Sequence, residues 1–307
     1  MSSPLTSEQF VRLLDDRLYK VSEKEYTDLP KMREKFFTIV NEARAFLEYF
    51  EIGDIPDISE FNGKLSSLSV SPGFHSKLET KEYASQIIAE RKLIDDKRYS
   101  ALDRRAAGLM ESANRVNEKL AVSIFNNAFS SAFDFMTREE NVALCSDSHT
   151  TKSGASTTTG FDNAGTTALS KPAIAATRLL MRKFKSDIGE RIDIGDELAL
   201  VVPDSLYDTA MEIVGTMKGY DAANETKNME YGRYKVMPWL RLDDNDANNW
   251  FMVDMKKMKR NLIFWERVKP EYKNTIDWDT YALKQAVYMR SGAGFVDWRF
   301  IYGHNVS

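Results

Sequence analysis

Residues 95–129 read DDKRYSALDRRAAGLMESANRVNEKLAVSIFNNAF, and the reading of this stretch decides the fold. Tyr99, Leu102, Ala106, Leu109, Ala113, Val116, Leu120, Ile124 and Ala128 recur in steps of three and four, the spacing that lines one face of an α-helix. Asp95 or Asp96 offers an N-cap and early negative charge that favours the helix dipole. A helix of about 34 residues is about 50 Å long at 1.5 Å per residue, against a usual length of about 11–12 residues. Such a rod has to be supported along its length. Gly108, near its middle, costs roughly 1 kcal/mol relative to alanine and is the natural bend point.

On the N-terminal side, Thr6 with Gln9 forms a capping-box pattern, and Phe10, Leu13, Leu14 and Leu18 then share one helical face. Residues Lys31 to Phe50 hold Met32, Phe36, Phe37, Ile39, Val40, Phe46, Leu47 and Phe50, too many apolar groups for a solvated linker. Gly53, Pro56, Gly63, Pro72 and Gly73 then punctuate an extended region with short alternating runs such as Leu65 to Val70. Residues Lys81 to Ile94 fit two patterns. Tyr83, Ala84, Ile87, Ile88 and Ile94 have helical spacing, whereas Ile87, Ala89 and Leu93 opposite Gln86, Glu90 and Lys92 suit a strand; periodicity alone favours the helix slightly.

On the C-terminal side, Ser146 to Thr167 is a Ser/Thr/Gly-rich loop almost without large apolar groups, separating two halves. Ser170 caps a following helix with Pro172 in its first turn, and Ile174, Leu179, Leu180 and Phe184 are its expected buried side. Glu197 to Val202 reads as a buried strand ended by Pro203, and Asp204 caps a second helix through Val214. Strands are expected at Tyr231 to Leu242, Trp250 to Met255, Leu262 to Val268 and through Phe300 to Tyr302, with helix possible over Tyr281 to Met289. The class is α+β.

With 307 residues, 43% of them hydrophobic, the chain can bury one large core or two interlocked ones. The formal net charge of -4 gives no basic footprint for neutralising phosphates, so specific nucleic-acid binding is not expected. No run approaches the roughly 18 apolar residues of a membrane span, and MSSPLTSEQF lacks the basic-then-apolar pattern of a signal segment; a cytosolic site of synthesis is expected. A single cysteine, Cys145, excludes an internal disulfide framework and a zinc site built on paired cysteines.

Searches for chemistry return little. Cys145, Asp147 and His149 lie within CSDSH, but cysteine catalysis needs a low-pKa thiolate, a base and a group holding that base, and an ordinary loop is the simpler reading. The same donors lack the fourth ligand of a zinc site. Asp244, Asp246 and Asn248 start a calcium-loop pattern that fails at Asn249 and Met255, where glycine and glutamate are required, leaving a polar turn. Gly292-Ala-Gly294 continues to Asp297 instead of a third glycine and reads as a hairpin turn. Gly154-Ala-Ser156 meets Thr158 where a nucleophile elbow needs glycine. Trp239, Trp250, Trp265, Trp278 and Trp298 are assigned to core or subunit contacts. No catalytic, cofactor-binding or metal residues are expected, and a cytosolic enzyme using Cys145 and His149 is the remote alternative.

The order of segments carries a resemblance. SPGFHSKLETKEYASQIIAERKLIDDKRYSALDRRA (71–106), SIFNNAFS (123–130), ALCSDSH (143–149), LSKPAIAATRLLMRKF (169–184), LALVVPDSLYDTAMEIV (198–214), NNWFMVDM (248–255) and NLIFWERV (261–268) together resemble the Hong Kong 97-type major capsid family of tailed bacteriophages, in its Mu-type major head subunit branch. The resemblance runs from about Gly63 onward. It implies an N-terminal arm at 1–62 lying across neighbouring subunits and an extended loop at 63–97, with residues 81–94 as strand. It further implies a peripheral domain at 98–165 and 250–298 around the spine helix, and an axial domain at 166–249 and 299–307. The implied function is a self-assembling icosahedral shell in the virion, assembled in the bacterial cytoplasm from hexamers and pentamers and enclosing double-stranded DNA without specific binding. An encapsulin-like compartment is the alternative within the same fold. No coiled-coil-like segment precedes the arm, which implies a separate scaffolding protein beside a portal protein, with a decoration protein as an optional partner. Lys64, Lys77, Lys81 and Lys92 are the arm lysines available for covalent cross-linking, which is expected to be absent.

Overall fold

The computed structural model describes residues 7–306 except 64, 66, 71, 91, 97–98, 196 and 218–226, and for residues 7–15, 52 and 94 it describes the backbone alone. Helix α1 (Ser7–Asp28) and the single turn α2 (Arg33–Phe36) lead into β1 (Thr38–Val40) and β2 (Leu47–Ile52). Strands β3 (Pro72–Leu78) and β4 (Lys81–Ala89) follow, then the short α3 (Lys92–Asp95) and the long α4 (Tyr99–Asn126). Next come β5 (Met136–Arg138), β6 (Ala164–Gly165), α5 (Lys171–Met181), β7 (Leu198–Val202), α6 (Tyr207–Gly215) and β8 (Lys235–Pro238). The chain ends with β9 (Trp250–Asp254), α7 (Met255–Asn261), β10 (Leu262–Ile276), β11 (Leu283–Phe295) and β12 (Ile301–His304).

The long helix has 28 residues, about 42 Å at 1.5 Å per residue, so it is shorter at both ends than residues 95–129. Asp95 belongs to the separate turn α3, and Asn127 onward leaves the helix. The helix runs unbroken through Gly108, where an added Cβ would meet nothing within 4 Å. Its buried face carries Leu102, Ala106, Leu109 and Ala113, then Ala121, Val122 and Phe125. Between these two apolar stretches Asn114, Asn117 and Glu118 are buried, which apolar spacing alone could not show.

The strands form three sheets. One has the order β1-β10-β11-β4, the second β6-β12-β9-β7-β8, and the third β2-β3-β5. In the first, β10 and β11 form a long antiparallel hairpin, and β4 adds to its edge in a register from Lys81↔Ser291 to Ala89↔Leu283. Residues 81–89 are therefore strand, and the helical spacing of Tyr83, Ile87 and Ile88 was misleading: strand pairing with β11 overrides weak local periodicity. Leu283 to Met289 is likewise strand and not helix, alternating buried and half-buried residues along β11. Gly292 and Gly294 lie inside this strand and make no hairpin turn; a Cβ on Gly292 would stand 2.6 Å from the carbonyl oxygen of Glu79, so glycine is required there by close backbone approach.

The second sheet gathers β6, β12, β9, β7 and β8. Trp250–Asp254 pairs with both β12 and β7, so in the sheet it lies with 198–202 and 301–304 and not with the hairpin at 262–295. Every residue of β7 and β9 is buried. Ser170 Oγ accepts the Ala173 N–H at 3.3 Å, and Pro172 occupies the first turn of α5, as expected. The buried side of α5 is Ala173, Ile174, Thr177 and Met181, whereas Leu179 and Leu180, expected inside, are exposed. Asp204 starts a 3₁₀ turn before α6 and does not cap it with its own side chain. Asp243 does that from across the sheet, accepting the Asp204 and Ser205 N–H groups at 2.7 and 3.2 Å. The strand expected over Tyr231 to Leu242 is confined to Lys235–Pro238, with a 3₁₀ turn at Leu240–Leu242.

The N-terminal region folds back on its own chain. Helix α1 packs along α4, Leu18 is buried, and Arg17 pairs with Asp103 at 2.6 Å. Arg33 plugs the junction: its guanidinium is 1% exposed and donates to Asn114 Oδ1 (2.8 Å), Glu118 Oε1 (2.9 Å), Tyr26 Oη (2.8 Å) and Glu266 Oε1 (2.9 Å). One buried cation thus ties α1, α4 and β10 together. Within the expected arm, α1, α2 and β1 pack on α4 and β10 of the same chain; the expected cap at Thr6 and the side chains of Phe10, Leu13 and Leu14 lie outside the described residues. Stacking of Phe36 on Trp239 (4.4 Å, 13°) joins α2 to the second sheet.

Candidate functional site

Cys145 and His149 do not form a dyad. The Cys145 thiol is buried against Gly303, and burial pushes it far above the ordinary thiol range, the reverse of what a nucleophile needs. The His149 ring is committed elsewhere: Nδ1 lies 3.1 Å from Glu140 Oε1, Nε2 lies 3.1 Å from Asn163 Oδ1, and the ring stacks on Trp298 at 4.1 Å. Asn163 is oriented by its own bonds, its Nδ2 donating to the Leu144 and Ile301 carbonyls (2.8 and 3.1 Å) and its Oδ1 accepting the Ser146 N–H at 2.7 Å. Loop 146–167 is therefore a docked segment, anchored by buried Asn163, His149 and Phe161, and joins the two halves instead of merely separating them.

His149 opens onto a buried ionic network. Burial pushes the Glu140 carboxyl up, but hydrogen bonding and charge from His149 and Arg138 outweigh it and bring it down to about 2. Arg138 also donates to the Val296 carbonyl and lies 3.7 Å from Glu51. Arg299 completes the cluster, contacting Asp297 (3.0 Å), Asp187 (3.3 Å) and Glu51 (3.4 Å). Glu51 is pushed up to about 7, first by burial and then by Asp297, against the attraction of Arg138 and Arg299. The network holds β2, β5, the 146–167 loop and the chain before β12 together, and every one of its members is occupied by another. Among the described residues no group of three or more His, Cys, Asp or Glu could hold a metal ion, and no helix is long and apolar enough to cross a membrane.

What the fold leaves unused is apolar surface. Segment 53–70, between β2 and β3, exposes Ile55, Ile58, Phe61, Leu65, Leu68 and Val70, with Ile58 at 91%. The tip of the β10–β11 hairpin exposes Ile276, Tyr281 and Trp278, the last at 86%, whereas Trp239, Trp250, Trp265 and Trp298 are buried. Around α6, Met211, Met217, Met229 and Tyr231 are exposed. Apolar groups gathered at the extremities of a subunit mark protein–protein contact, and sequence spacing does not distinguish them from core.

Residues 76–303 match the sequence model of the family described as phage capsid protein. The chain belongs to the phage capsid protein family. Solved structures agree on the fold of this capsid protein. The Mycobacterium phage Patience structure superposes with a TM-score of 0.59 at 9% identity, covering 99% of this chain and 90% of that one. The procapsid of bacteriophage JBD30 gives 0.54 at 12% identity over 98% and 76%, and the mature capsid of bacteriophage PhiM1 gives 0.54 at 11% over 91% and 88%. None of the curated proteins matches the sequence. The capsid protein thus has the Hong Kong 97-like fold and is a component of the virion shell.

Proposed function

We propose that the chain is the major head subunit, that its copies associate as hexamers and pentamers into a closed icosahedral shell around double-stranded DNA, and that it performs no catalysis. The observation that carries this is the segment 53–70, whose large apolar side chains stand in solvent on a subunit whose own core is complete. Obligate interfaces of such assemblies bury roughly 2,000 Å² or more, and this segment is the natural donor. In this reading, α4 with the β1-β10-β11-β4 sheet forms the peripheral domain and the second sheet with α5 and α6 forms the axial domain. The segment between β2 and β3, with those flanking strands, then serves as part of the extended loop. A separate scaffolding protein and a portal protein are the proposed partners, with a decoration protein optional. Lys77 and Lys81 pair with Glu79 and Asp134, which favours solvated ion pairs over cross-linking; Lys64 lies outside the described residues.

The test is expression of the full chain, alone and with any scaffolding protein encoded beside it, followed by sedimentation and electron microscopy. Closed shells are expected, free of covalent ladders on denaturing gels. Soluble monomers under all these conditions would overturn the reading, and shells that package a cellular enzyme in place of DNA would transfer the protein to the compartment class.

A further inference from the structure

Helices α5 and α6 cover opposite halves of the five-stranded sheet, α5 over β12 and β9 and α6 over β7 and β8. Their exposed faces carry opposite charge. Helix α5 with the residues after it has no acidic group, and exposes Lys171 and Lys183 beside Leu179 (53%) and Leu180. Helix α6 with its preceding turn has no basic group, and exposes Asp204, Asp208 and Glu212 beside Met211 (40%). The three acids are spaced four apart and form one row of about 12 Å at 1.5 Å per residue. Lys171 opens α5 and Lys183 follows its C-terminus, so the two lysines flank Leu179 along the chain. Among the described residues, none of Lys171, Lys183, Asp208 and Glu212 is neutralised by an ion pair within its own chain.

We propose that α5 of one copy seats against α6 of the next copy, Leu179 and Leu180 meeting Met211 while the two lysines face the acidic row. The proposal rests on the shell-subunit reading. Two different patches at two ends of one sheet make a heterologous contact, which repeats head to tail and closes into a ring when the rotation between copies permits. Opposite charges then set the register and reject the like pairs, α5 on α5 and α6 on α6. A second copy is the favoured occupant because each face finds its complement in charge, and in exposed apolar side chains, on the same chain.

The experiment uses the full chain in three versions beside the wild type: Lys171→Glu with Lys183→Glu, Asp208→Lys with Glu212→Lys, and all four together. Circular dichroism establishes that each is folded, and sedimentation with electron microscopy reads the assembled fraction. Each pair of reversals is expected to lower that fraction about tenfold, as like charges now face each other, and the fourfold variant is expected to recover it. Leu180→Cys with Met211→Cys is expected to give an oxidation-dependent ladder beyond dimers, which neither single variant gives. Reversals that assemble as the wild type does, or a folded fourfold variant that stays unassembled, overturn the proposal while leaving the shell reading intact. Normal shells with reduced DNA content after reversal of α5 also overturn it and assign that face to nucleic acid. A wild type that never assembles overturns the shell reading, and this one with it.

Discussion

The imidazole of His304 lies flat on the indole of Trp250, with ring centroids 4.2 Å apart and planes 9° from parallel. Its Nδ1 accepts the Thr167 N–H at 3.2 Å, and its Nε2 faces Thr177 Oγ1 at 2.8 Å, whose hydroxyl is donated to the Ala173 carbonyl at 2.8 Å. Only the neutral ring with hydrogen on Nε2 satisfies all of these bonds. Burial accordingly holds its pKa down at about 4, against about 6.5 in an unfolded chain. As pH falls below about 6.5, the unfolded state takes up a proton that the folded state refuses, so stability is lost between about pH 6.5 and 4. The loss from this group is up to about 3 kcal/mol. Thermal melts of the unassembled chain at pH 7 and pH 4.5 should show a smaller difference for His304→Gln than for the wild type; an equal difference would place the acid sensitivity elsewhere.

Glu51 has the opposite sign. Its carboxyl is pushed up to about 7 in the folded chain, so the proton it holds stabilises the fold fully below about pH 4.3, the unfolded value. That contribution is lost as pH rises through about 7. Glu51→Gln should therefore leave stability at pH 5 nearly unchanged and raise it at pH 8. Hydrogen exchange of the β2 amides at the two pH values checks this, and slower exchange only in the variant at pH 8 is the expected result.

Arg33→Met should be among the most damaging single substitutions, at about 3–5 kcal/mol. The cost comes from stranding the Glu118 and Glu266 carboxylates, both buried, more than from the lost bonds themselves. Urea denaturation measures it, and a second change of Glu118→Gln should recover part of the loss.

Two glycines should answer alanine in opposite directions. Gly108→Ala fills open space on a helix and should stabilise by about 1 kcal/mol. Gly292→Ala drives a Cβ to 2.6 Å from a backbone oxygen and should separate β11 from the turn at Glu79. Denaturant midpoints moving the same way for both would contradict the argument.

Cys145→Ala should fold and assemble as the wild type does, with a loss of about 1 kcal/mol for the vacated sulfur. Failure to assemble in a variant shown to be folded would reopen a chemical role for this thiol.

Much of the architecture was legible because long elements repeat their signal: α4 shows one apolar stripe over many turns, and β7 is an unbroken apolar run between Glu197 and Pro203. What was hidden depended on partners distant in sequence. Residues 81–89 become strand only because β11 is beside them, and Asp243 acts as a cap only because the sheet brings it to Asp204. Leu179 and Leu180 carry the same hydrophobic signal as Ile174, since spacing cannot say whether an apolar group faces its own core or another copy. The pairing of Arg33 with Glu118 and Glu266 spans too many residues for any motif to report it. The surroundings of Cys145 and His149, a buried thiol and a ring in contact through both nitrogens, depend on Gly303, Glu140 and Asn163, which the CSDSH stretch does not contain.

The segment 53–71 leaves the body at Ile52 and returns at Pro72, two residues paired across β2 and β3. Fixed at both ends, its tip can travel no farther than about 30 Å, half its residues at full extension. The protein therefore carries a ruler: whatever this loop grips must lie within that radius, and a shell whose subunits drew farther apart would have to release it.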